Sequence, residues 1–221
     1  MRPIRAIALA GLIACTAPAA FGAAAPVTVV LLGDGYVNDG ELNPPDRFRP
    51  RLTEALAAIG VSVTITSPGF KETTKDGLNW LTNSPDGQAL LAAPAHHAVI
   101  LELGVLDCST NSAKLPLEET KANLTQMLTL LAAAKIPVLL VGQKSFVECG
   151  VPYFDAFNKM YPELARQFGL PLFPDYLDAT YGHPELVHEG EAVAPNQDGV
   201  RVIIAKMLPM VKVLLENVDK P

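Results

Sequence analysis

Val27–Gly33 (VTVVLLG), running into Asp34-Gly35-Tyr36, is the stretch on which the fold is decided. A strand with one solvated face alternates apolar and polar residues, whereas this run carries aliphatic side chains at both parities. That is the pattern of a central parallel strand buried on both faces. Downstream, a polar loop holds Asn43-Pro44-Pro45, and Arg47–Ile59 has helical spacing, with Leu52, Leu56 and Ile59 on one face and Gly60 as its stop. Val61–Thr66 reads as a second strand, and a helix starts near Asp76, interrupted by a turn at Asn83-Ser84-Pro85-Asp86-Gly87. Ala98–Leu103, Val138–Val141 and Leu170–Phe173 supply three further strands, separated by helices at Leu117–Ala134 and Tyr153–Phe168. Asp198–Val218 reads as a closing amphipathic helix. Strands alternating with helices predict a three-layer α/β/α sandwich around a five-stranded parallel sheet, with its binding crevice beyond the carboxyl ends of the strands.

The 221 residues suffice for one domain with a full core, and no internal repeat or linker divides them. At 49% hydrophobic and 18% charged the chain is globular in composition. Its formal charge is −6, and no basic cluster occurs, which argues against a nucleic-acid partner. Met1–Arg5 followed by the apolar run Ala6–Ala14 reads as an export signal, too short to span a bilayer. Two processing readings stand. Cleavage after Ala20-Phe21-Gly22 makes 1–22 a signal peptide and 23–221 one soluble domain; alternatively Leu12-Ile13-Ala14-Cys15 is a lipobox, and Cys15 carries a lipid anchor. The domain is thus expected in the periplasm or outside the cell, with the soluble form preferred. Removing the leader leaves 15 of the 17 basic residues against 23 acidic ones, a net −8. No later stretch is apolar for the ~18 residues of a membrane span. Cys108 and Cys149 then remain in an oxidising compartment, where a thiol pair tends to close.

Leu32-Gly33-Asp34-Gly35-Tyr36 resembles the GDSL block that opens the SGNH/GDSL hydrolases. The likeness continues in register through Ser67–Thr74, through Val99–Gly104 and Leu140-Val141-Gly142, and through Phe157–Ala165, which is similar to the periplasmic arylesterase/lysophospholipase branch. Pro195-Asn196-Gln197-Asp198-Gly199 fits the segment leading into that family's last helix. The resemblance implies a flavodoxin-like SGNH fold. It also implies a serine nucleophile, a histidine base oriented by an aspartate, and an oxyanion hole of serine amide, glycine amide and asparagine side chain. Carried over residue by residue, the nucleophile falls at Gly35, the oxyanion glycine at or beside Lys71 and the asparagine at Leu106. The histidine falls at Ala194 and its aspartate at Glu191. Loss of serine or histidine alone costs on the order of 10⁶ in turnover, so the nucleophilic route is expected to be closed.

Small hydroxyls at Ser109, Thr110 and Ser145 follow the third and fourth strands, but none sits in a nucleophile elbow. His188 lies among Glu185, Glu189 and Glu191, and His183 is near in sequence; their spacing is poor evidence for a metal, and none is assigned. His96 and His97 precede the third strand, at the far end of the sheet from the crevice. Asp34, Lys71, Asp107 and His188 are the expected crevice residues, and Cys108 with Cys149 the expected disulfide between two neighbouring loops. No cofactor is expected. The reading is an exported, catalytically inactive pseudo-esterase that binds an acyl or carbohydrate ligand or a periplasmic partner protein. By analogy with the superfamily its setting would be exopolysaccharide synthesis or acylation. The alternatives are an esterase or deacylase with a relocated site around His188, and a structural subunit whose crevice is filled by Leu106.

Overall fold

The computed structural model describes residues 26–38, 42–69, 71, 73–108, 115–145, 149–218 and 220. The expected leader (1–22) with Cys15, and Ser109 and Thr110, lie outside the described residues. Five strands form one sheet: β1 (Val27–Gly33), β2 (Val63–Thr66), β3 (His97–Glu102), β4 (Val138–Val141) and β5 (Leu172–Phe173). Their order is β2-β1-β3-β4-β5 and every neighbouring pair is parallel, so the sheet is the one read from the sequence.

The double-sided run at β1 explains the layering. Val29 and Leu31 bury into a cluster with α2 (Phe48–Ala58) and α7 (Gln197–Glu216). Val30 and Leu32 bury on the opposite face with α3 (Thr74–Asn83), α4 (Pro85–Ala92), α5 (Leu117–Ala133) and α6 (Val151–Phe168). Each fully buried Leu or Val contributes about 1.5–3 kcal/mol through its apolar surface, which fixes β1 between two helical layers. In α7 the buried residues Val200, Ile203, Ile204, Met207, Val211 and Leu214 recur at helical spacing and form the stripe that faces the sheet.

Two strands begin later than their sequence pattern predicts, for one reason. Val61 N–H donates to Leu56 O at 3.0 Å, and Leu170 N–H to Ala165 O at 2.9 Å. These bonds close α2 and α6 over left-handed glycines, Gly60 (φ 79°) and Gly169 (φ 66°), so the first apolar residue of each run caps a helix instead of pairing in the sheet. α3 starts at Thr74, ahead of Asp76, because Thr73 and Asp76 form a reciprocal capping box. Ser84 then ends α3 and caps α4, its Oγ accepting the Gly87 N–H at 2.9 Å, so the expected turn is a junction between two helices. The loop after β1 is likewise not wholly irregular. Asp34 Oδ1 accepts the Tyr36 N–H at 2.9 Å and starts the single turn α1 (Gly35–Asn38).

Candidate functional site

Four segments meet at the carboxyl end of the sheet. β1 delivers Gly35, half-buried, to the start of α1. The segment after β2 brings Lys71 alongside, its N–H donating to Gly33 O at 3.3 Å. The 3-10 turn Val105–Cys108 after β3 carries Leu106, whose half-buried side chain packs on the apolar cluster. Before α7, the segment with Glu191 and Ala194 folds back on itself, with Val187 bridged to Pro195 and His188 N–H donating to Ala194 O at 3.0 Å. Glu191 is exposed, and its charge acts on Tyr36, the residue after Gly35. The positions that the resemblance assigns to nucleophile, oxyanion donors and base therefore lie on the loops that border one end of the sheet. They present a glycine, a leucine and an alanine where hydroxyl, amide and imidazole would be needed. The Lys71 amide is engaged by Gly33, and its Nζ donates back to Pro68 O at 3.0 Å.

Two expected crevice residues do not line it. Asp34 and Asp107 are both completely buried. Asp107 turns inward from its 3-10 turn and ties three elements together: its Oδ1 accepts the Thr74 N–H at 2.7 Å, and its Oδ2 accepts the hydroxyls of Thr74 and Thr120, the latter at 2.7 Å. It anchors the starts of α3 and α5, and burial raises its carboxyl above the usual range despite those three donors. Lys71 and His188 are half-buried. Ser145 is buried, and its N–H donates to Asn158 Oδ1 at 3.2 Å. His183 is exposed and pairs with Glu185 at 2.9 Å.

Beneath the β1 loop lies a polar cluster that sequence reasoning missed. Glu102, the last residue of β3, is fully buried, and its Oε2 accepts the Asp34 N–H at 3.1 Å. Gln143, just past β4, donates through Nε2 to Asp34 Oδ2 at 3.1 Å and also to Glu102 Oε1. Its Oε1 accepts the Val105 N–H at 2.9 Å and the Tyr161 hydroxyl at 3.2 Å. Burial pushes the Asp34 carboxyl up from 3.8 to about 6, against the Tyr36 and Gln143 donors that lower it. Glu102 is raised well above the carboxylate range, first by burial and then by the Asp34 charge, so it holds its proton when Asp34 is ionised. The visible signal was Glu102 itself, a charged residue inside an otherwise apolar strand. Gly33 permits the close approach, because a Cβ there would collide with the side chains of Val37 and Glu102.

Cys108 and Cys149 form a disulfide, their Cα atoms 5.9 Å apart, joining the turn after β3 to the start of α6. Among the described residues no group of three or more His, Cys, Asp or Glu side chains could hold a metal ion. No helix of the described residues is long and apolar enough to cross a membrane.

An all-parallel α/β/α sandwich whose site loops follow β1, β2 and β3 and precede the last helix has the architecture of the SGNH-type hydrolases. Similar proteins agree. The chain is 26% identical over 201 residues to thioesterase 1/protease 1/lysophospholipase L1 of Escherichia coli (strain K12), covering 89% of each chain. The structure of AlinE4, an SGNH-hydrolase family esterase, aligns with a TM-score of 0.66 at 26% identity, over 86% of this chain and 97% of that one. The crystal structure of TesA matches with a TM-score of 0.72 at 23% identity, over 85% and 99% of the two chains, a likeness of fold. No protein-family model matches the chain. In sequence and in fold the chain is thus similar to the SGNH/GDSL hydrolases.

Proposed function

We infer that this protein is a non-hydrolytic member of its superfamily, an exported pseudo-esterase that holds an acyl or carbohydrate ligand, or a partner protein, at the carboxyl end of the sheet. The observation that carries this is Gly35. It occupies the turn where β1 enters α1, the place of the nucleophile, and it has no side chain to attack with. Leu106 and Ala194 remove the oxyanion amide and the base in the same way. An acyl ligand is favoured by the relatives, named as a thioesterase/lysophospholipase and as an esterase. The setting proposed is accessory to exopolysaccharide synthesis or acylation. The test is hydrolysis of p-nitrophenyl acetate and butyrate by the purified protein. Turnover equal to buffer is expected, and turnover that Lys71→Ala and His188→Ala do not alter would point to a contaminant.

One observation favours a second reading, an esterase with a relocated base. His188 is paired through its backbone to Ala194, beside the vacated histidine position. Ester turnover above buffer that disappears in His188→Ala would establish that reading and overturn the first.

A further inference from the structure

On the face of the sheet opposite α2 and α7, β2 extends beyond the cover of α3 and α4. Its Thr64 and Thr66 are exposed there, while Ile65 is buried on the other face. The result is a trough of about 420 Å³, floored by Thr28 and Val30 of β1 and Thr66 of β2. Its wall is Trp80 of α3 with Ala89 and Ala93 of α4 and its end, and Asp86 stands at the rim. That volume falls in the ~300–1,000 Å³ range of small-molecule sites.

The chemistry of the lining is selective. Among the described residues, the Trp80 indole N–H and the hydroxyls of Thr28 and Thr66 have no hydrogen-bond partner, and Asp86 has no ion-pair partner. Among the described residues no lysine or arginine lines the trough, and its one basic side chain is the half-buried His97, whose Nδ1 lies 2.8 Å from Ala95 O. A phosphate or carboxylate ligand would therefore meet the repelling charge of Asp86 with no fixed cation to offset it. An acyl chain would leave the indole N–H and both floor hydroxyls unsatisfied, at a cost for each. A neutral pyranose answers every group: its apolar ring face stacks on indole and alanine methyls, and its hydroxyls exchange bonds with threonine, indole N–H and carboxylate. We propose that this trough is a second binding site, for neutral sugar units of an oligosaccharide. It is separate from the loops around Gly35 and does not depend on whether they hydrolyse anything. One end of it is tied to them: Ser67 Oγ donates to Asn38 Oδ1 at 2.7 Å, and Asn38 Nδ2 to Gly33 O at 2.8 Å.

Trp80 is the single tryptophan of the chain, so its emission reports on this site alone. Titrating the purified protein with cellotetraose, maltotetraose and xylotetraose should give a saturable change in emission with at least one of them. Ala89→Leu, at an exposed position, should raise the midpoint about tenfold by filling the trough. Thr66→Val should raise it about threefold, with the melting temperature of both variants unchanged. The proposal is overturned by no saturable change up to about 10 mM with any of the three sugars. It is equally overturned by an unaltered midpoint in Ala89→Leu, or by an equal response to octanoate, which would make the trough an acyl groove.

Discussion

Replacing Asp34 by asparagine tests the buried carboxyl pair directly. Asp34 is fully buried, and its folded-state carboxyl lies at about 6 against 3.8 for the free side chain. The native protein therefore holds this proton more tightly than the unfolded chain does. Stability must fall as pH rises from about 4 through about 6, and the full penalty remains above that range. The interval from 3.8 to about 6 corresponds to about 3 kcal/mol. Glu102, raised in the same direction, extends the decline to higher pH. Asp34→Asn cannot ionise, and it removes the charge that helps to keep Glu102 protonated. It loses one acceptor toward Gln143, a cost of about 1 kcal/mol at every pH. The diagnostic is thus the slope and not the offset. Thermal unfolding followed by far-UV circular dichroism from pH 4 to pH 7 should show the wild type losing about 6–12 °C relative to Asp34→Asn, at 2–4 °C per kcal/mol for a chain of this size. Parallel curves of melting temperature against pH would refute the reasoning, whatever their separation.

The Cys108–Cys149 bond spans 41 residues, and chain entropy values its closure at about 4 kcal/mol. Cys108→Ser/Cys149→Ser should lose up to that amount in urea unfolding, and dithiothreitol should have no further effect on the double variant. Leu101→Ala empties a fully buried position in β3 and should cost about 2–5 kcal/mol, read as a lower denaturation midpoint with an unchanged slope. Thr73→Ala removes the capping box at the start of α3 and should cost about 1 kcal/mol by the same assay.

The sheet was legible because burial on both faces leaves a mark in composition: β1, β3 and β4 are runs that no solvated strand would carry. The helical turn α1 and the start of α4 were less legible, since each depends on one capping side chain, Asp34 or Ser84, at a place where turn residues predominate. At the site, residue types could be read but directions could not. Asp34 and Asp107 stand in loops at the crevice end of the sheet, yet both side chains turn inward to backbone and hydroxyl donors, which no spacing rule encodes. Glu102 announced itself as a charge in an apolar strand. Its partner Gln143, and Tyr161, whose hydroxyl donates to Gln143, come from elsewhere in the chain and reach it only through the packing of β4 and α6. The trough was invisible for a related reason: it is defined by how far β2 reaches past α4.

The two-layer burial of β1 also constrains the order in which the chain can become a protein. β1 carries Val29 and Leu31, and their cover comes both from α2, which follows closely in sequence, and from α7, which lies far along the chain. Until α7 is in place, that face of the sheet has α2 alone as its helical cover, and a chain stopped short of Val200 would leave part of it bare. Completion of this core cluster therefore waits on α7. A chain in which α7 has not docked offers its central strand to whatever holds unfolded polypeptides, and docking of that helix releases it.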